Sequence, residues 1–258
     1  MRKRLIWTLA LGTAVAVAVA GIAVAYKPTV IKAGNLVLEA NGGISPTKLP
    51  KNTFAPIKAN VSGSVKTADG SHPPATNVVT VLIDKNISVN AKGLPVCKQG
   101  QIEARATAAA KKACPNAIVG SGTTEAEVAF PEQKPFSAKG PLVLFNGGVR
   151  GGKTLLLIHA YINVPAPTAI ITPVTMGKIH KGNYGTEDVA RVPVIAGGSG
   201  SITSFNLTVN RKFTYKGKSQ SYLSARCPTG HYFTGVSASF KDGTSLKGTV
   251  VRPCTPKG

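Results

Sequence analysis

Residues 142–164 read LVLFNGGVRGGKTLLLIHAYINV, and two folds compete for them. Gly147–Thr154 fits the G-x4-G-K-[ST] phosphate loop, and the apolar residues before it resemble the strand such a loop follows. That loop works only when it opens a helix, whose N-terminal amides surround the phosphates. Here the residues after Thr154 lack amphipathic helical spacing and soon meet Pro165 and Pro167. They read as a strand returning from a Gly-rich hairpin, so the nucleotide-binding match is judged spurious and the stretch argues for antiparallel β structure.

Working outward, the same signature recurs. Val78–Ile83, Val189–Ile195, Ile202–Val209, Ser221–Cys227, Tyr232–Phe240 and Leu246–Val251 are short, rich in Val, Ile, Thr, Tyr and Phe, and bounded by turn formers. Asp242-Gly243 between the last two is a hairpin signal. Strands at this spacing predict a mainly β fold, an antiparallel sandwich of jelly-roll or Ig-like type. Gln101–Ala113, Ala-rich and closed by Pro115, is the one stretch outside the N-terminal segment that reads as a helix. Pro131–Pro141 is the best candidate linker and Ala196–Ser201 a flexible turn. A single domain over 26–258 is favoured over a subdivision near 131–141.

The first 25 residues read as an export signal. Arg2, Lys3 and Arg4 precede an uncharged run from Leu5 to Ala25 that ends in Ala-Val-Ala, the three-part build of a signal peptide. The rival is an uncleaved membrane anchor; the Ala and Gly content of the run favours cleavage before Tyr26. Either way the body is extracytoplasmic, secreted or attached to the outer face of the membrane.

Of the 258 residues, 31 are Lys or Arg and 10 are Asp or Glu, a net charge of +21. Setting Arg2, Lys3 and Arg4 aside leaves 28 cations and a net +18 on 233 residues. Composition excludes a disordered tail, a collagen and a polytopic membrane protein. The excess is mostly Lys and scattered, which suits nonspecific attraction to anionic lipid, wall polymer or polysaccharide better than base-specific nucleic-acid reading. The densest basic patch is Arg211–Lys218, where Arg211, Lys212, Tyr215, Lys216 and Lys218 are the candidate polyanion contacts. Ordinary strand alternation, with Phe213 and Tyr215 turned to a core, is the competing account.

Four Cys, at 97, 114, 227 and 254, read as two disulfides in an oxidising compartment. Three pairings are open; the near-neighbour solution joins Cys97 to Cys114 and Cys227 to Cys254, each worth about 3 kcal/mol. A continuous helix from 97 to 114 would hold those Cα atoms about 25 Å apart, against the roughly 4–7 Å a disulfide needs. Either residues 98–101 double back along a helix of at most about three turns, or the pairing is not local.

Signals for chemistry are sparse. There is no G-x-S-x-G, H-E-x-x-H or His-x-His motif, and His72, His159, His180 and His231 stand apart from the cysteines, so no metal site and no cofactor is indicated. Glu125 and Glu127 share a strand face as surface charge, and His159 reads as a half-buried strand residue. Asn60, Asn86 and Asn206 begin glycosylation sequons that matter only in a eukaryotic secretory pathway. The only Trp, Trp7, lies in the export segment, which leaves no Trp platform for sugars.

Several phrases taken together carry a resemblance: TADGSHPPA (67–75), DKNISVNAKGLPVC (84–97), ACPNAIVGSG (113–122), LLLIHAYINVP (155–165), YLSARCPTG (222–230) and FKDGT (240–244). The chain resembles a family of uncharacterised exported actinobacterial proteins over most of 35–254. The resemblance implies one integrated unit with local cysteine pairs and brings no activity with it. The expectation is a secreted or cell-envelope β protein, non-enzymatic, that associates with an anionic envelope polymer or membrane surface through its basic residues. An extracytoplasmic small-molecule or lipid carrier with an apolar cavity is the alternative, and a hydrolase with a site assembled from distant residues the second.

Overall fold

The computed structural model describes residues 26–164 and 166–258; the expected signal or anchor segment lies outside them. The chain lays down β1 (Thr29–Ala33), β2 (Leu36–Ser45), β3 (Lys48–Pro50), β4 (Ala55–Pro56), β5 (Lys58–Thr67), β6 (Thr76–Asp84) and β7 (Ile87–Val89). Two short helices follow, α1 (Gln99–Ile102) and α2 (Thr107–Ala113). Next come β8 (Ile118–Val128), β9 (Phe136–Arg150), β10 (Lys153–Asn163), β11 (Pro167–Lys181), β12 (Tyr184–Arg191) and β13 (Gly200–Val209). The chain closes with β14 (Lys212–Tyr215), β15 (Lys218–Ser221), β16 (Leu223–Ala225), β17 (His231–Phe240), β18 (Ser245–Pro253) and β19 (Thr255–Lys257). The elements of the described residues and both disulfides lie within 26–258.

Twelve strands join in one antiparallel sheet ordered β1-β2-β5-β13-β8-β9-β10-β11-β12-β6-β17-β18. The sheet curls until its two edges meet, a nearly closed barrel in place of the two separate sheets of the expected sandwich. At the seam the Ile31 side chain seats on Gly248, where an added Cβ would come within 2.4 Å of it. Arg252 completes the seam, its Nε donating to the Gly42 carbonyl at 2.7 Å and its Nη2 to Asn41 Oδ1 at 2.8 Å. Curling requires backbones to approach closely on the inner face, where side chains crowd. At Gly122 a Cβ would lie 1.8 Å from the Asn206 carbonyl oxygen, so only glycine permits that curvature.

β10 shows how the opening stretch folds. Leu156, Ala160 and Ile162 face inward, into clusters with Leu144, Val174, Leu142 and Ile170. Leu155, Leu157 and His159 face outward, beneath a cap of α1 and α2 that contributes Ile102 and Ala110. Both faces are covered, which is why LLLIHAYI is continuously apolar instead of alternating. Gly147–Thr154 forms the β9–β10 hairpin: Gly151 and Gly152 turn it with φ of 56° and 74°, and no helix follows. His159 is fully buried, not half-buried as expected: burial pushes its imidazole pKa down, and its Nε2 donates to the Arg105 carbonyl at 2.9 Å.

The single helix expected over Gln101–Ala113 is instead two, broken at Ala104, whose φ is 54°. The break is what lets the chain return, so Cys97 and Cys114 bond with their Cα atoms 5.6 Å apart. Cys227 and Cys254 form the second disulfide. Pro131–Pro141, expected as a linker, divides between the β8–β9 turn and the start of β9, which pairs with β8 from Val128↔Phe136 onward. Ala196–Gly198 is a 3₁₀ turn, and strand β13 begins at Gly200. The strand expected over Val189–Ile195 lies earlier, as β12.

Candidate functional site

Antiparallel strands send their turns alternately to the two ends of the barrel, and the ends differ. One, the capped pole, holds the β9–β10 and β11–β12 turns and is covered by three small sheets: β4-β16-β7, β14-β15 and the parallel pair β3-β19. The Cys227–Cys254 disulfide ties β19 into this cap. The distal pole holds the β1–β2, β8–β9 and β17–β18 turns and the 68–75 loop.

Charge divides the same way. At the capped pole Arg150 and Lys153 flank the β9–β10 turn, and Lys178 and Lys181 lie at the end of β11. Lys48, Lys51 and Lys58 lie on and between β3 and β5, and Lys85, Lys92 and Lys98 on the loops either side of β7. Of the carboxylates in that half, Asp84 is buried and already occupied by Asn86 N (2.8 Å), Asn86 Nδ2 (2.9 Å) and Phe233 N (2.9 Å), Asp188 faces the barrel interior, and Glu187, opposite Leu82, makes no ion pair among the described residues. Glu39, Asp69, Glu125, Glu127, Glu132 and Asp242 belong to the distal half. So do the ion pairs among the described residues, Lys66–Glu39 (2.9 Å) and Lys139–Glu125 (3.6 Å), and the His72–Glu127 hydrogen bond (2.7 Å). Ion pairs among the described residues are thus confined to the distal half, and the more numerous cations of the capped pole form none.

The five sequence-nominated contacts fall on the capped pole, in and beside the β14–β15 hairpin. Alternation holds within it: Lys212 is exposed, while Phe213 is half-buried against the main core. The Tyr215 ring lies on Gly93, where a Cβ would meet it at 2.1 Å, and Lys216 Nζ stands 5.8 Å from that ring's centre. Lys216, in the two-residue turn Lys216-Gly217, and Lys218, just after it, are exposed to solvent. Arg211 differs, being partly buried and donating through Nη2 to the Asn116 carbonyl at 3.3 Å. It ties the hairpin to the chain after α2.

Three exposed apolar side chains share the capped pole. Phe54 (44% exposed) follows β3, with the Arg226 guanidinium 5.1 Å from its ring centre; Val96 (52%) and Val149 (71%) flank Gly148 beside the β9–β10 turn.

Two further constellations escaped sequence reasoning. At the distal pole His72 Nδ1 lies 2.7 Å from Glu127 Oε1 and His72 Nε2 lies 3.3 Å from Ser201 Oγ, the connectivity of a Ser-His-acid triad. Ser201, however, is 1% exposed and its hydroxyl donates to the Pro73 carbonyl at 2.5 Å. The proton a base would need to take is bound elsewhere, and no substrate carbonyl reaches the oxygen. The trio straps the 68–75 loop to β8 and β13. Its members are 55 and 129 residues apart, so no spacing motif could announce it.

The second lies inside the barrel. Asp188 stands across the ladder from Met176 and Val81, hence on the inner face, with Thr186 beside it. Asp188 Oδ1, Thr186 Oγ1 and the Tyr222 hydroxyl are buried without hydrogen-bond partners. Burial pushes the Asp188 carboxyl up to about 7, with the Glu187 charge adding to it; burial and then Asp188 push the Tyr222 phenol up in turn. Around them, inward side chains such as Val81, Val236, Phe205 and Leu207 are half-buried only. No group of three His, Cys, Asp or Glu among the described residues is placed to hold a metal ion.

No family model, no curated protein and no solved structure matches the chain.

Proposed function

We propose that this is an extracytoplasmic, non-enzymatic barrel protein that associates with anionic surfaces or polymers of the cell envelope through its capped pole. Two disulfides fit an oxidising compartment. The observation that carries the reading is the unequal distribution of charge: most exposed carboxylates and the ion pairs of the described residues at the distal pole, many cations without ion pairs at the capped one. A one-signed end concentrates field and orients the molecule toward a polyanion, which a uniform coating of the same net charge would not do. Lys-rich point charges bind by proximity, so the expected partner is diffuse negative charge and not one shaped ligand. The test is titration of dextran sulfate at rising salt. The expected affinity falls steeply between about 0.05 and 0.5 M, as the screening length shrinks well below 10 Å; an affinity independent of salt would refute the electrostatic reading.

The Asp188 cluster favours the carrier as a second reading, because half-buried apolar walls around orphaned polar atoms are what an amphiphilic ligand would complete. Native mass spectrometry of protein purified from its own host tests it, and a spectrum showing only the bare chain mass counts against it.

A further inference from the structure

We propose that the capped pole docks on an anionic lipid bilayer, with Phe54, Val96 and Val149 entering the headgroup region while the surrounding cations meet the lipid phosphates; this rests on the reading of that pole as the anion-binding end. Charge alone would suit a soluble polymer equally well. The three apolar side chains decide between them. A hydrated wall polymer or polysaccharide offers nothing for an exposed Phe or Val to bury, whereas a bilayer interface rewards cations and apolar tips presented together. Their positions fit insertion. Val149 leads Arg150 into the hairpin turn, Val96 touches Gly148 next to it, and Phe54 sits under Arg226. Of the other exposed large apolar side chains among the described residues, Val30, Val61 and Val251 lie on strands of the wall and Val194 at the distal pole.

The course of the chain agrees. Strand β1 starts at Thr29, opposite Ala40 in the middle of β2, and runs toward the distal pole; Tyr26 precedes it on the capped-pole side, its ring 5.3 Å from the Arg252 guanidinium and its carbonyl accepting from Asn41 Nδ2 at 3.0 Å. The uncharged run Leu5–Ala25 therefore joins the folded unit at the end that carries the cations and the apolar tips. Wherever that run is held in a membrane, it brings this pole, and not the distal one, against the lipid.

The experiment uses residues 26–258, so that the N-terminal run contributes nothing, and compares flotation with phosphatidylglycerol-containing vesicles, with pure phosphatidylcholine vesicles and titration of dextran sulfate. The expected result is binding to the anionic vesicles and not to the neutral ones. The triple variant Phe54→Ser, Val96→Ser, Val149→Ser should lose about tenfold in vesicle affinity while keeping its dextran sulfate affinity. All three positions are exposed, so an unchanged melting temperature shows that the fold survives. Undiminished vesicle binding by the triple variant overturns the proposal. Wild-type binding to dextran sulfate without binding to anionic vesicles overturns it too, yet leaves the pole as an anion-binding end. Binding to neither removes both.

Discussion

Asp188→Asn should remove a loss of stability that the wild type suffers at this site on going from acid to neutral pH. In the barrel interior the Asp188 carboxyl is raised from 3.8 to about 7, by burial first and by Glu187 second. A carboxyl whose folded pKa lies above its unfolded one holds its proton longer in the native state. Its contribution is complete below about pH 4 and is lost as pH rises through about 7. Some 3 pK units at 1.36 kcal/mol each set a ceiling of about 4 kcal/mol, and residual hydration of this partly accessible side chain lowers the expected loss to about 2–4 kcal/mol. Other shifted carboxylates do not obscure it: Asp69 and Asp242, held down mainly by hydrogen bonds from Asn35, Ser71 and Thr244, change their contribution only below pH 4. Urea denaturation of wild type and variant at pH 4.5, 6, 7 and 8.5 measures the difference directly. The wild-type stability minus that of the variant should fall across this range; buried His159, held below its ordinary value, adds the same gain to both curves as pH rises toward 6.5 and cancels in the difference. At pH 8.5 the variant should melt roughly 5–15 °C higher, at about 2–4 °C per kcal/mol for a domain of this size. Parallel pH profiles for the two proteins would show that Asp188 is solvated or paired and would refute the account of the interior.

Gly122→Ala should destabilise the barrel by about 2–4 kcal/mol, because the new Cβ would lie 1.8 Å from a backbone oxygen that cannot move without opening the β13–β8 ladder; chemical denaturation reads it, and a near-neutral effect would contradict the curvature argument. Ser201→Ala should cost about 1 kcal/mol and loosen the 68–75 loop, since its hydroxyl serves the Pro73 carbonyl. The same variant should leave p-nitrophenyl ester hydrolysis at wild-type background; a wild-type rate abolished by the substitution would establish the His72–Glu127 pair as catalytic.

What could be read along the chain was what depends on neighbours. The β9–β10 hairpin was legible because Gly151 and Gly152 occupy positions that demand positive φ. The β17–β18 hairpin was legible because Asp242 accepts from both Thr244 N and Oγ1, the local bonding that makes Asp-Gly a turn signal. The helix was misjudged in extent because Ala-rich propensity runs straight through Ala104, whereas the Cys97–Cys114 bond forces the chain back there. The Arg211–Lys218 patch was legible as composition, but the separate structural duty of Arg211 was not, since its partner Asn116 lies 95 residues away.

The sequence by itself determined a mainly antiparallel β protein with an even set of four cysteines and a large excess of Lys. These follow from period, turn chemistry and composition, which are local or additive. Only the tertiary structure decided that twelve strands share one nearly closed sheet, since closure depends on which edges meet, at Ile31, Gly248 and Arg252, and strand patterning is the same in a sandwich and a barrel. Only the structure, too, sorted the cations from the carboxylates. Charges scattered through the sequence become a pole when antiparallel strands return their turns to the same end, and that alternation is a property of the sheet and of no single segment.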